Sequence, residues 1–351
     1  ISPVPSAADH VARAIEANGG AIRFDAFMQS ALYGPDGFYN VGGRAGRRGD
    51  FITSVEIGPL FGTVIARALD AWWIEMGRPQ DFRVFEVGAG PGTLARSVIA
   101  AGPECLRDDH SNYVCVETGE FQRSSHPDGV TSLACLPDGD LCGVVLANEL
   151  LDNLAFRLLV FDGLWREAWV SSNGDSFTEV LRPMDPMPGF ALPERATHGA
   201  RVPWQQAASD WLGDVLSRLD GHLVIFDYAV QFTAELASRP WRDWLRTYAG
   251  QERGSHYLRD VGRQDITTDV CIDQIVSNVG EPDVMRSQSQ FLQRWGIAEL
   301  VEEGRRVWEA ESSRPGLHAM RMRSRISESE ALLDAGGLGG FTVLEWVRVV
   351  A

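Results

Sequence analysis

The chain has 351 residues, 44% of them hydrophobic, with 11 Trp, 16 Phe and a formal net charge of −16. That composition supports a sizeable core and excludes global disorder. The acidic field disfavours a broad nucleic-acid surface and suits a cationic substrate or partner.

All 32 basic residues are arginine, which excludes chemistry needing a Schiff-base or P-loop lysine. The five cysteines have no CxxC spacing and the seven histidines no HxxxH or HxH arrangement. Free thiols, a cytoplasmic setting and no metal site are therefore expected. The apolar runs fall short of the roughly 18 residues that cross a bilayer. The opening Ile1-Ser2-Pro3 carries no charged n-region, so neither a targeting peptide nor a membrane association is expected.

In chain order, residues 1–80 read as an N-terminal helical cap or lid. Ser6 caps a helix that ends at Gly19-Gly20, and a second helix runs through Ala26–Leu32. Tyr33 to Tyr39 and Gly42 to Asp50 form a loop too glycine-rich to be an element. Ile57, Leu60, Phe61, Val64, Ile65, Ala68, Leu69 and Trp72 keep the spacing of a buried helix face. Thr53-x-x-Glu56 reads as a capping box at its start.

From residue 81 the pattern becomes strand–helix alternation, which implies an α/β parallel sheet covered on both faces. The strands are Arg83–Val87, Tyr113–Glu117, Gly143–Ala147 and His222–Asp227, with a helix over Thr93–Ala101 and a closing strand over Phe341–Val350. Two insertions interrupt this 81–351 core. One, at about 157–203, holds a hairpin (Leu158–Phe161, Trp165–Val170) and a proline-rich segment. The other, at about 240–320, holds a loop region and helices around Gln288–Trp295 and Ile297–Glu311.

Phe85-Glu86-Val87-Gly88-Ala89-Gly90-Pro91-Gly92-Thr93-Leu94 carries the chemistry. Glycines let the backbone turn tightly against a ligand, and the helix that follows offers unpaired N–H groups. An ordinary β–α turn and a dinucleotide loop are the alternatives. The GxGxG spacing is one residue tighter than the dinucleotide GxGxxG. Glu86, two residues before the first glycine, is awkward for a pyrophosphate and natural for the α-amino group of S-adenosylmethionine (SAM). Glu117, 25 residues after Gly92, ends the next strand and suits the ribose hydroxyls of an adenosyl group.

Asn148, Glu149 and Asp152 follow the strand that ends at Ala147. They place an amide and two carboxylates within one turn, able to grip a guanidinium or to act as general base; helix capping is the bland alternative. Asp227 and Tyr228 sit at another strand end on the same edge. Tyr33, Tyr39, Asp50, Thr53, Ser54 and Glu56 are candidates for a lid, although a capping box accounts for Thr53 and Glu56. Arg246, Tyr248, His256, Asp265 and Thr267 read as a solvated loop cluster.

These segments resemble the MidA-like family of SAM-dependent methyltransferases, which includes a mitochondrial arginine methyltransferase that assists assembly of respiratory complex I. The resemblance rests on Ala31 to Tyr39, Gly49-Asp50-Phe51-Ile52-Thr53-Ser54-Val55-Glu56-Ile57, the Glu86–Leu94 loop, Ala147-Asn148-Glu149-Leu150-Leu151-Asp152-Asn153, Phe226-Asp227-Tyr228, Leu245 to Tyr248 and Asp265-Ile266-Thr267. It implies a class I (Rossmann-like) fold with an N-terminal helical cap. It also implies SAM held by Glu86, Gly88, Gly90, Gly92, Thr93 and Glu117, with Asn148, Glu149 and Asp152 beside the substrate. Methylation of protein arginine is the activity it favours. A small-molecule O- or N-methyltransferase and a non-catalytic SAM-binding assembly factor are the alternatives, and a homodimer is one assembly the reading allows. Val55 and Ala155 stand where the family usually has Pro, Ala229 where it has Gly, and Asp269 where many members have His.

Overall fold

The computed structural model describes residues 5–41, 53–107, 109–174, 176–250 and 252–349. The Gly42–Asp50 loop, Phe51 and Ile52 lie outside these residues.

The core is a seven-stranded sheet. Its strands are β1 (Arg83–Val87), β2 (Tyr113–Val116), β3 (Thr131–Leu133), β4 (Leu141–Asn148), β5 (Leu219–Asp227), β6 (Val284–Ser287) and β7 (Thr342–Arg348). They lie in the order β6-β7-β5-β4-β1-β2-β3. β3, β2, β1, β4 and β5 run parallel, and β7 is antiparallel to both β5 and β6. This is a Rossmann-like α/β sheet with one reversed strand near the edge. The strand order turns back between β1 and β4, and ligands of such sheets bind outside the carboxyl ends at that point.

Side chains alternate across a strand, which feeds two cores. Val84, Val144, Leu146, Val224, Phe226 and Val343 pack against the helices Pro59–Glu75, Thr93–Ala101, Gln288–Arg294 and Ile297–Glu311. Phe85, Val87, Val145, Ala147, Leu223, Ile225 and Trp346 face the helices Gln206–Arg218 and Ile272–Val279. Strands buried on both sides read as the near-continuous apolar runs that marked them in the sequence.

The segments outside this sheet are divided differently from the expectation. Ser6 does cap the first helix, Ala7–Ala17, in a capping box with Asp9. That helix and Phe24–Tyr33 join the first insertion. Ala21–Arg23 pairs antiparallel with Trp165–Ser172, extending a second sheet of five strands. The buried face of Phe24, Phe27, Met28 and Leu32 packs on Leu158, Val160, Val170 and Val202 of that lobe. The helix Pro59–Glu75 packs in the main core instead. The second insertion is also split: Leu245–Ala249 pairs with Asp265–Thr268, while Val284–Ser287 is strand β6.

The capping box at Thr53 is not formed. A short helix, Ser54–Ile57, starts there without a side-chain cap, and the long helix begins after Gly58 with Pro59 in its first turn. The N–H of Leu60 is satisfied by Glu328 Oε2 at 2.8 Å, from a helix far along the chain. Glu56 is thereby left for another partner.

Candidate functional site

The carboxyl ends of β1, β2 and β4 open into a cavity of about 640 Å³. Of the residues singled out in the sequence, Tyr33, Tyr39, Thr53, Glu56, Glu86, Gly88, Gly90, Thr93, Glu117, Asn148 and Glu149 line it. Gly92, Ser54, Asp152, Asp227 and Tyr228 stand behind its wall.

The glycine loop is locked onto β2. Gly88 N and Ala89 N donate to Val116 O, and Gly92 N donates to Ala89 O. Gly90 N donates to Glu117 Oε2 at 3.0 Å. With these amides committed, the loop does not present the open nest a pyrophosphate needs. Gly92 caps the helix at φ +77°, where a Cβ would also meet Pro127 Cδ at 2.9 Å. Gly90, at φ +50°, has open space where a Cβ would be. Glu117 also accepts from Gly119 N at 2.8 Å, which fixes its carboxylate beside the loop.

Glu86 is buried. Its Oε2 accepts from Tyr113 Oη at 2.8 Å and it takes a further bond from the Ala95 backbone. Burial pushes its carboxyl up to about 8, against the lowering effect of those bonds. Glu86 therefore ties β1 to β2 and to the first turn of Thr93–Ala101 as well as facing the cavity. Thr93 Oγ1 donates to Glu56 Oε1 at 2.8 Å, which joins the N-terminal segment to the loop. Thr53 Oγ1 is buried without a hydrogen-bond partner among the described residues. Ser54 is structural instead, its hydroxyl donating to Gln288 Oε1 at 2.9 Å.

On the β4 side, Glu149 stands at φ +53°, with its N–H on Phe226 O at 2.8 Å. Its carboxylate accepts from Asn148 Nδ2 at 3.1 Å and Tyr228 Oη at 3.3 Å, and from the Ser54 backbone. Burial first, and the neighbouring Asp152 second, push it up to about 8. Asp152 is raised well above the carboxylate range by burial and by Asp227, and its Oδ1 has no hydrogen-bond partner. Asp227 is the bracket of this loop: Oδ2 accepts from Leu151 N and Asp152 N, and Oδ1 from Tyr228 N. It acts on the loop's backbone and does not line the cavity.

Tyr33 and Tyr39 stack at 5.4 Å. Tyr33 Oη donates to Asn153 O at 3.1 Å, and Tyr39 bonds Asp265. The expectation that Asp265 and Thr267 belong to a solvated loop is overturned, since both are buried in the strand Asp265–Thr268. Asp265 Oδ1 accepts from Asn153 Nδ2 at 3.0 Å, so Asn153 and Asp265 complete the site. The β-branched run Ile266-Thr267-Thr268 was the signal for that strand. Arg246 is also internal, paired with Asp269 at 2.7 Å and lying 5.0 Å from the Tyr228 ring centre. Asp269 thus serves an ion pair. Gln122, Trp211 and Arg218 line the cavity as well; Gln206–Arg218 carries the last two, on a helix not placed in the sequence reading.

Among the described residues no group of His, Cys, Asp and Glu is arranged to hold a metal ion, and no helix is long and apolar enough to cross a membrane.

A Rossmann-like sheet with a carboxylate-flanked glycine loop at its turning point defines a SAM-dependent methyltransferase. Residues 64–286 match a family described as S-adenosyl-L-methionine-dependent methyltransferases, and the chain belongs to that family. It is 35% identical over 329 residues to the mitochondrial protein arginine methyltransferase NDUFAF7 of Mus musculus, covering 79% of this chain and 71% of the relative. It is 31% identical over 200 residues to the Drosophila melanogaster homologue, covering 46% of this chain and 45% of that protein. The fold matches a COG1565 superfamily member from Burkholderia thailandensis bound to S-adenosyl-homocysteine. That match has a TM-score of 0.78 and 26% identity, over 99% of this chain and 96% of that one.

Proposed function

We propose that the chain transfers the methyl group of SAM to a side-chain nitrogen of a protein arginine. The observation that carries this is the concentration of buried acid behind Glu149. Asp152 has Asp227, Asp265 and Asp269 for neighbours and itself acts on Glu149, with one arginine, Arg246, among them and Arg239 paired to Asp269 at the rim. A cationic guanidinium offsets the unfavourable burial of these carboxyls, and a neutral acceptor does not.

The residues present fit the cofactor. Gly90 leaves open space beside the carboxylate of Glu117, and Thr53 Oγ1 lacks a partner among the described residues. Glu117 would take the ribose hydroxyls. Glu86 and the Gly88–Thr93 turn would hold the amino-acid end, since a carboxylate with two bonds still has acceptor sites for an ammonium. When bound, SAM supplies an electrophilic methyl group on a sulfonium. The chain supplies placement: Asn148 and Tyr228 orient the Glu149 carboxylate, which localises the guanidinium charge and aims one nitrogen. Glu149 would take the proton that the guanidinium nitrogen sheds on accepting the methyl group. Tyr33 and Tyr39 wall the site from water.

The test is incubation of the protein with methyl-labelled SAM and a cell lysate, followed by mass spectrometry. Label on arginine of a polypeptide, lost in Glu149→Gln, is expected. Label confined to small molecules overturns the acceptor.

A further inference from the structure

We propose that a basic cavity on the second lobe docks an acidic segment of the acceptor polypeptide. The inference rests on the reading of that acceptor as a protein. The cavity, about 460 Å³, is lined by Phe177, Arg242, Ser255, His256, Leu258 and Arg259. A smaller one of about 160 Å³ shares Arg242, Ser255 and His256 with it and reaches Arg253 and Arg246. No aspartate or glutamate lines either. Arg242, Arg253 and Arg259 are exposed and have no ion pair among the described residues, in a chain of net charge −16.

Of the acids nearby, Asp243 and Glu252 stand exposed beside Arg242 and Arg253 without lining either cavity, and two others are engaged. Glu179 holds Arg201 and accepts from Tyr257 Oη, and Asp260 accepts from Ser255 Oγ at 2.7 Å. His256 is held low by burial and by Arg201, Arg242 and Arg259, with Glu179 opposing. The imidazole stays neutral in this field, and an arriving carboxylate relieves the cationic crowding. Phe177 and Leu258 give the cavity an apolar floor for the stem of a glutamate.

The two cavities share Arg242, Ser255 and His256, and the run of Arg259, Arg242, Arg253 and Arg246 along them favours a polypeptide segment over a single free anion. Arg246, on the wall of the smaller cavity, lies over Tyr228, and Tyr228 donates to Glu149 in the cofactor cavity. A chain of internal contacts thus links the wall of the basic cavities to the carboxylate of the transfer site.

Fluorescence anisotropy of labelled hexaglutamate on the full chain at low salt tests this without requiring methylation. Binding is expected, weakened about tenfold or more in Arg242→Gln/Arg259→Gln and in the single variant Arg259→Glu, with unchanged melting temperatures. No binding, or equal affinity in the folded variants, overturns the proposal. Inorganic phosphate that binds with the same arginine dependence, while the peptide does not, also overturns it and makes the cavity a small-anion site. Peptide binding alongside a lysate experiment that labels only small molecules leaves the docking site intact and removes the arginine acceptor alone.

Discussion

Glu149 holds a partly buried carboxyl on a backbone that an L-residue avoids. A non-glycine residue at φ +53° costs about 1–3 kcal/mol, and it persists only where its surroundings over-determine it. The Phe226 carbonyl and three hydrogen bonds to the carboxylate do so here. Since its carboxyl is raised to about 8, the ionised form that grips a cation is scarce at pH 6 and dominant above pH 8. The pH profile of kcat/KM for an arginine peptide should rise with unit slope and level off near pH 8. The break in kcat should lie lower, because a bound cation favours ionisation. Glu149→Gln should keep SAM affinity in calorimetry and lose about 10²–10⁴ in turnover. A profile flat from pH 6 to 9 removes Glu149 from the chemistry.

At the scale of elements, the site depends on loops braced by strands distant in sequence. Asp227, at the end of β5, holds two backbone N–H groups of the loop that leaves β4. Asp227→Ala strands both in a buried place, at about 1–3 kcal/mol for each unsatisfied group. Urea denaturation should show a loss of roughly 2–6 kcal/mol. Asp227→Asn, whose amide oxygen can still accept, should recover most of it. Equal stability of the Ala variant and the parent would show the bracket to be idle. Asp227 was legible in the sequence as a polar residue at a functional edge. Its task was not, because a carboxylate that caps backbone and one that meets substrate look alike along the chain.

For the whole molecule, acids buried at the site set the pH dependence of stability. Glu86, Glu149 and Asp227 are each raised to about 8, chiefly by burial, and burial also raises Asp152 well above the carboxylate range. A carboxyl whose folded pKa exceeds its unfolded value near 4 contributes stability below that value and loses it as pH rises through the folded one. Asp9, Asp109 and Glu303 are shifted down and act in the opposite direction, though only at lower pH and at the exposed surface. Calorimetry of the unliganded protein should show its melting temperature falling by about 5–10 °C between pH 6 and 8.5. A melting temperature constant over that range would mean that these carboxyls are already compensated without ligand.

The sequence by itself determined five strands of the sheet and its cofactor loop, and left out Thr131–Leu133 and Val284–Ser287. β1, the helix Thr93–Ala101 and the GxGxG turn fall where apolar runs and glycines put them, because strand burial, left-handed turns and loop geometry are local demands. It also brought Asn148, Glu149 and Glu117 to one edge, since parallel strands carry their carboxyl ends to the same side. Only the tertiary structure decided how the rest is shared. Glu56 gave up a cap for Thr93, Ala21–Arg23 joined a sheet more than a hundred residues away, and Asp265 and Arg246 proved internal. Those outcomes turn on long-range pairing and on which polar groups lose their water. A residue's neighbours in sequence carry no record of either.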